Sequence, residues 1–243
     1  MCGIVGYVGS RDCTEVLLSS LRRLEYRGYD SAGIAVRDGV ETRIVRCQGK
    51  MDRLEALVRA EPPRGTLGIG HTRWATHGRP SEENAHPHKH GRVAVVHNGI
   101  IENHLELRGR LRASGHVFRS ETDTEILAHL IDDELGAGAG PVEAARRVLG
   151  EVRGIYAMCA LVDGHEDLLI CARKDAPLVV GLGEGETFVA SDIPSILPYT
   201  RRMMFLGDEE VAAVRRGGVE LQDLAGRPVE REPREITWSA AVA

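Results

Sequence analysis

Aromatic residues are scarce in this sequence: two Trp, five Tyr and three Phe among 243 residues. So few rings leave no material for an extended base-stacking platform. A basic surplus is missing as well, since 36 Asp and Glu outnumber 31 Lys and Arg and the formal net charge is −5. Nucleic-acid binding needs a concentrated cationic face, so no nucleic-acid partner is expected. No apolar run approaches the ~20 residues of a membrane-crossing helix. The opening Met1-Cys2-Gly3-Ile4-Val5-Gly6 has neither a basic n-region nor a long apolar h-region. A cytoplasmic globular chain without a membrane partner is the expectation. The five cysteines (Cys2, Cys13, Cys47, Cys159, Cys171) are odd in number and form no Cys-x-x-Cys pair, which excludes a disulfide framework and a zinc knuckle. Gly181-Leu182-Gly183-Glu184-Gly185 is not a dinucleotide fingerprint, and neither a Walker A sequence nor a Gly-x-Ser-x-Gly elbow occurs.

What is present suits one large domain, with 42% hydrophobic and 28% charged residues. Short apolar runs predict strands at Gly3–Val8, Ala32–Val36, Arg43–Cys47, Leu67–Gly70 and Val93–Val96. Asp12 is placed to cap a helix running to about Tyr26, with Val16, Leu17, Leu21 and Leu24 on one face. Further helices are expected at Met51–Ala60, Asn103–Ala113, Asp123–Leu135 and Val142–Val152. Beyond Ile155 come strands at Tyr156–Val162, Leu168–Ala172, Leu178–Gly181, Thr187–Ala190, Met203–Leu206 and Val211–Val214. Strands, then helices, then strands again, without strict βαβ alternation, predict an α+β fold with mostly antiparallel sheets.

Chemistry concentrates in the polar stretch Thr72–Gly91. His71-Thr72-Arg73-Trp74-Ala75-Thr76-His77-Gly78 holds a guanidinium, an indole, two hydroxyls and two imidazoles, a density that belongs on a functional loop. Seven of the ten histidines lie between His71 and His104, yet no His-Glu-x-x-His pair or other ligand spacing completes a set, so no metal is expected. Four cysteines, Cys13, Cys47, Cys159 and Cys171, read as small buried hydrophobes. Cys2 differs. Removal of Met1 would give it a free α-amine titrating near ~7.7–8.0, able to act as base for its own thiol. Its alternative is simply the start of a buried strand.

Cys2–Gly6, Leu24-Glu25-Tyr26-Arg27-Gly28-Tyr29-Asp30-Ser31-Ala32-Gly33, His71–Gly78, Val96-His97-Asn98-Gly99-Ile100-Ile101-Glu102-Asn103 and Ser120-Glu121-Thr122-Asp123-Thr124-Glu125 follow in one order and spacing. In this the chain resembles the N-terminal glutaminase domain of glucosamine-6-phosphate synthase, a class II glutamine amidotransferase, over essentially its whole length. The resemblance implies a four-layer αββα sandwich of the N-terminal-nucleophile hydrolase type. It also implies that Cys2 attacks the side-chain amide of L-glutamine and forms a thioester. Asn98 and Gly99 then form the oxyanion hole, Arg73 grips the α-carboxylate and Asp123 pairs with the α-ammonium. Thr76 and His77 line or close over glutamine, and Trp74 helps gate ammonia. Arg27 supports the nucleophile from behind, with His86 and His97 as neighbours; no cofactor is implied. Read without the family, Asn98-Gly99 is a hairpin turn and Asp123 a helix-start carboxylate.

By the same resemblance, residues 1–232 are the glutaminase domain and 233–243 a junction segment, with the sugar-phosphate isomerase (SIS) lobes absent from this sequence. Ser239 stands where the family usually has an acidic residue, and Val242-Ala243 ends the match. The expected partners are L-glutamine and a sugar-phosphate isomerase or other synthase that receives ammonia. Three functions stay open: ammonia supply for amination of fructose 6-phosphate, a free-standing glutaminase or subunit serving another acceptor, and a non-catalytic regulatory module.

Overall fold

The computed structural model describes residues 2–39, 41–75 and 78–237. Its strands, numbered in chain order, form two sheets. The first has the spatial order β15 (Arg234–Glu235), β11 (Arg202–Phe205), β9 (Val179–Leu182), β10 (Thr187–Ala190), β1 (Gly3–Val8), β4 (Leu67–Arg73), β2 (Ser31–Asp38) and β3 (Glu41–Gln48). The second runs β14 (Pro228–Val229), β13 (Gly218–Asp223), β12 (Glu210–Arg215), β8 (Leu169–Lys174), β7 (Gly154–Val162), β6 (Val93–Ile101) and β5 (His88–His90). Neighbouring strands in both sheets pair antiparallel.

Helices α1 (Cys13–Arg22) and α2 (Met51–Ala60) cover the outer face of the first sheet, where Leu17, Leu21 and Leu54 meet Val5, Tyr7 and Ile34. Helices α3 (His104–Ala113), α4 (Glu125–Gly136) and α5 (Pro141–Glu151) cover the second, with Leu107, Ile126 and Val148 against Val95, Met158 and Ile170. Between the sheets lies a third apolar layer that includes Ile4, Val8, Val96, Cys159 and Leu169. This is a four-layer αββα sandwich, as the resemblance implied.

The layering explains how the strands looked in sequence. Along β7, Tyr156, Met158 and Ala160 face the helices, whereas Ala157, Cys159 and Leu161 face the other sheet. A strand buried on both faces has no polar side, so it reads as a continuous apolar run rather than an alternation. The polar strands β5, β13, β14 and β15 gave no such run. All four therefore lie in stretches where the apolar pattern predicts no element. The α1 helix also stops earlier than its apolar spacing suggests. Asp12 caps it as expected, accepting from Thr14 N at 3.0 Å, but after Arg22 the chain tightens: Leu24 N bonds Leu21 O, and a short 3-10 turn follows at Glu25–Arg27. Leu24 keeps its place in the core.

Histidines are buried where β4 and β6 face each other. His71 and His86 stack with ring centroids 4.1 Å apart, and His97 N donates to His86 Nδ1 at 3.4 Å. Burial holds His71 near 3, His86 well below the ordinary imidazole range, and His97 below it. These rings are neutral in the folded protein at neutral pH, whereas in the unfolded chain each takes up a proton below about 6.5. Their contribution to stability is therefore complete above about pH 6.5 and is lost as the pH falls towards the folded values, at up to ~1.4 kcal/mol per pH unit for each ring. Urea unfolding should show the free energy dropping by about 2–4 kcal/mol between pH 6 and pH 5; a flat profile there would contradict neutral burial of these rings.

Candidate active site

The pairing of β1 with β4 places the nucleophile candidate. Gly3 lies opposite Thr72, which sets Cys2, the residue before it, beside Arg73 and Trp74. Cys2 Sγ accepts the Trp74 backbone N–H at 3.2 Å and lies 3.4 Å from the Trp74 carbonyl oxygen. Burial pushes the thiol pKa up, while the Trp74 N–H and the Arg73 charge pull it down. Cys2 is half-buried; the other four cysteines are buried, as their apolar neighbours suggested. On the other flank of β1, Ser191 Oγ accepts Ile4 N at 2.9 Å. Arg27 then holds this end of the sheet, donating to Asp192 Oδ2 at 2.7 Å and Ser191 O at 3.3 Å.

Asn98 reaches across from the second sheet. Its Nδ2 donates to the Cys2 carbonyl at 2.9 Å, and its Oδ1 lies 2.9 Å from His71 Nε2. A carbonyl can only accept, which fixes the amide orientation; His71 Nε2 must then carry the hydrogen and donate to Oδ1. A neutral His71 thus orients Asn98, and the second N–H of Nδ2 remains for a ligand. Asn98 and Gly99 are not a hairpin turn: they lie within β6, opposite Ala157 and Tyr156 of β7. Gly99 has φ +131, and a Cβ there would lie 1.9 Å from the Ile155 carbonyl oxygen. Only glycine fits this irregular strand position, which is what makes the pair look like a turn in sequence.

Cys2, Arg73, Trp74, His86, His97, Gly99 and Asp123 line one small cleft, together with Thr122 and Thr124. Asp123 precedes α4 rather than starting it, and its Oδ2 accepts Ile101 N at 2.8 Å. Arg73 is buried and donates to Gly78 O at 3.2 Å; its pKa is lowered by burial and raised by Cys2, Asp30 and Asp123. Trp74 is half exposed and meets the Tyr29 ring edge-on at 5.4 Å. His97 Nδ1 lies 3.0 Å from Thr124 Oγ1. Thr76 and His77 lie outside the described residues.

Some residues that shape the cleft were not singled out from sequence. His71 orients Asn98. Asp30 Oδ2 takes the Ala75 N–H at 2.6 Å, and the Arg73 carbonyl takes the Asp30 N–H at 3.0 Å. A Cβ on Gly28 would sit 2.7 Å from the Arg73 carbonyl carbon, so the Leu24–Gly33 motif serves to press its backbone against the site. Asp192 carries no sequence signal, because its role depends on the distant Arg27.

Residues 71–198 match the family described as the glutamine amidotransferase domain. The chain is 56% identical over 245 residues to the glutamine–fructose-6-phosphate aminotransferase [isomerizing] of Thermus thermophilus, covering 100% of this chain and 40% of the relative. It is 49% identical to the protein of the same name from Gluconobacter oxydans, covering 99% and 40%. This sequence therefore spans about 40% of the length of these relatives. Among solved structures, the glutamine phosphoribosylpyrophosphate amidotransferase of B. subtilis superposes with a TM-score of 0.79 at 25% identity, over 92% of this chain and 49% of that one. An allosteric regulatory enzyme of purine biosynthesis gives 0.81 at 25% identity, with the same coverage. With its layered fold, its match over residues 71–198 and these relatives, the chain belongs to the class II glutamine amidotransferases.

Proposed function

We propose that this domain hydrolyses the side-chain amide of L-glutamine and delivers the ammonia to an acceptor site in a synthase of which it is the glutaminase part. The observation that carries the reading is that Cys2, its carbonyl held by the Asn98 amide, shares one cleft with Gly99, Arg73 and Asp123.

In this reading the α-amine of a Cys2 freed of Met1 takes the thiol proton, and Sγ bonds to the amide carbon. The oxygen that becomes negative is met by the free N–H of Asn98 Nδ2 and the backbone N–H of Gly99. Collapse breaks the carbon–nitrogen bond, and the ammonium formed on the amine returns its proton to the leaving group, releasing ammonia. Water then attacks the thioester, passes its proton back to sulfur through the same amine, and frees glutamate. Arg73 offers a planar fork for the α-carboxylate, and Asp123 a carboxylate for the α-ammonium. Arg27 holds the Ser191–Asp192 flank of β1 and so keeps Cys2 in position. His86 and His97 form the neutral floor of the cleft. Trp74 stands at the ammonia exit, and Thr76 and His77 take the glutamine-binding role that the family's motif gives them. Residues 1–232 form the glutaminase domain, and the junction segment 233–243 starts on it, with Arg234–Glu235 still paired to β11. The acceptor that the relatives' names favour is fructose 6-phosphate, and the synthase part is then a sugar-phosphate isomerase.

Cys2→Ala should abolish glutamate formation from glutamine while leaving the melting temperature within a few degrees; normal turnover would sink the nucleophile assignment. Gly99→Ala should lower kcat on the order of 10²–10³, because the new Cβ meets Ile155 O and displaces the N–H, with much less effect on glutamine binding to the Cys2→Ala protein. For the acceptor, amide-labelled [15N]glutamine and fructose 6-phosphate are supplied with this domain and the separately expressed remainder of the Thermus thermophilus relative. Labelled glucosamine 6-phosphate is the expected product, and label found only as free ammonium would point to another acceptor.

A further inference from the structure

Away from the cleft, three other histidines converge from three parts of the fold. His90 ends β5, His116 follows α3, and His129 lies within α4. Each offers a ring nitrogen, and these atoms lie within 4.8 Å of one another. His129 is fully buried, and its ring stacks on His90 with centroids 3.6 Å apart. His90 and His116 are partly exposed and line an open groove between the edge strands β3 and β5.

The carboxylates around the cluster decide which nitrogens carry hydrogen. His116 Nε2 lies 3.2 Å from Asp133 Oδ2, and His129 Nε2 lies 3.6 Å from Glu125 Oε1. A carboxylate beside one ring nitrogen favours the hydrogen on that nitrogen and leaves a lone pair on the other. For His116 the lone pair then falls on Nδ1, which faces His129 Nδ1 at 2.8 Å. In the metal-free protein one hydrogen lies between the two atoms, carried by His129 Nδ1, whose Nε2 makes no hydrogen bond. A metal ion that takes its place leaves that hydrogen on Nε2, on the side of Glu125. A carboxylate behind each ligating imidazole is the arrangement that orients histidines around zinc.

We propose that His90, His116 and His129 form a binding site for a divalent transition-metal ion of the zinc class. His116 Nδ1 and His129 Nδ1 are the first two ligands, a nitrogen of His90 is the third, and water from the groove is the fourth. Imidazole nitrogens with few oxygen ligands select zinc, nickel or copper over magnesium or calcium. Tetrahedral ligation at ~2.0–2.1 Å requires the Nδ1 atoms to part to about 3.3 Å, and His90 to turn out of its stack. Both movements open towards the groove, which is also the route by which an ion reaches the site. Bound metal would join β5, the segment after α3, and α4 at one point. Glu125, which backs His129, also takes the N–H groups of Arg119 and Ser120 at 2.8 and 2.7 Å, so the link extends towards Asp123.

The test uses untagged, chelator-treated Cys2→Ala protein, which lacks the half-exposed thiol that could capture metal elsewhere. Calorimetric titration with Zn²⁺ should give one equivalent bound in the micromolar range or tighter. Co²⁺ should produce the intense visible bands of a tetrahedral site. Zinc at about a hundred times its Kd should raise the melting temperature by about 5–10 °C. His90→Gln and His116→Gln should each weaken binding at least ~10-fold, and the double variant should abolish it while the metal-free melting temperature stays within a few degrees. These two partly exposed residues are used because loss of the fully buried His129 would confound binding with folding. Binding no tighter than millimolar, or stoichiometric binding kept by the double variant, would overturn the proposal; the first result would leave a plain hydrogen bond between the two rings.

Discussion

Asn98 bridges the two sheets beside Cys2, and the geometry of the cleft depends on that bridge. Its amide hydrogen-bonds the carbonyl of Cys2 on one side and His71 on the other, so a residue of β6 sets the position of the residue that precedes β1. Each of these bonds is worth only about 1 kcal/mol net, but an unmet buried polar group costs about 1–3 kcal/mol. The arrangement persists because its alternatives leave His71 or the Cys2 carbonyl without a partner. In the proposed reaction the bridge has a second role, since an amide already held at both ends reorganises little when an anion forms beside it.

The histidines beneath that bridge are kept neutral by burial, which costs the protein acid stability and gives the site fixed dipoles. A cationic His71 would still donate to Asn98, but it would place a charge in a space that also contains Arg73 and the Cys2 thiol. Neutral rings avoid this repulsion and leave Arg73 as the local cation facing Cys2, Asp30 and Asp123. The second histidine group follows another logic. Its rings lie beside Asp133 and Glu125 rather than beside amides, and two ring nitrogens face each other. Ten histidines in one sequence thus include two assemblies whose difference lies in what stands behind each ring.

Much of the fold was legible because burial leaves a mark on composition. The apolar runs at Gly3–Val8 and Thr187–Ala190 and the helix at Met51–Ala60 match their elements at both ends. The polar strand at His88–His90 was not legible, because its stability comes from pairing with β6 and not from its own side chains. Asn98-Gly99 was misread as a turn for a related reason. Asn and Gly tolerate positive φ wherever they occur, and local sequence does not say whether a turn or an irregular strand uses that freedom. Asn98, Gly99 and Asp123 were singled out only through the family's motifs, and Arg73 otherwise only as one member of the polar stretch His71–Gly78. No spacing rule connects positions 73, 98 and 123, which meet because β4, β6 and the start of α4 end together.

By itself, then, the sequence determined the class of fold, the doubly buried strands and the motifs around Cys2, His71–Gly78 and Val96–Asn103, since these are written in composition and short-range order. Only the tertiary structure decided that Asn98 turns its N–H towards Cys2, that His71 holds it there, that Asp192 anchors Arg27, and that His90, His116 and His129 share one corner. Such contacts join residues tens to more than a hundred positions apart. Their hydrogen-bond directions follow from which groups can only accept, and that is known once the chain has brought them within 3 Å or so of each other.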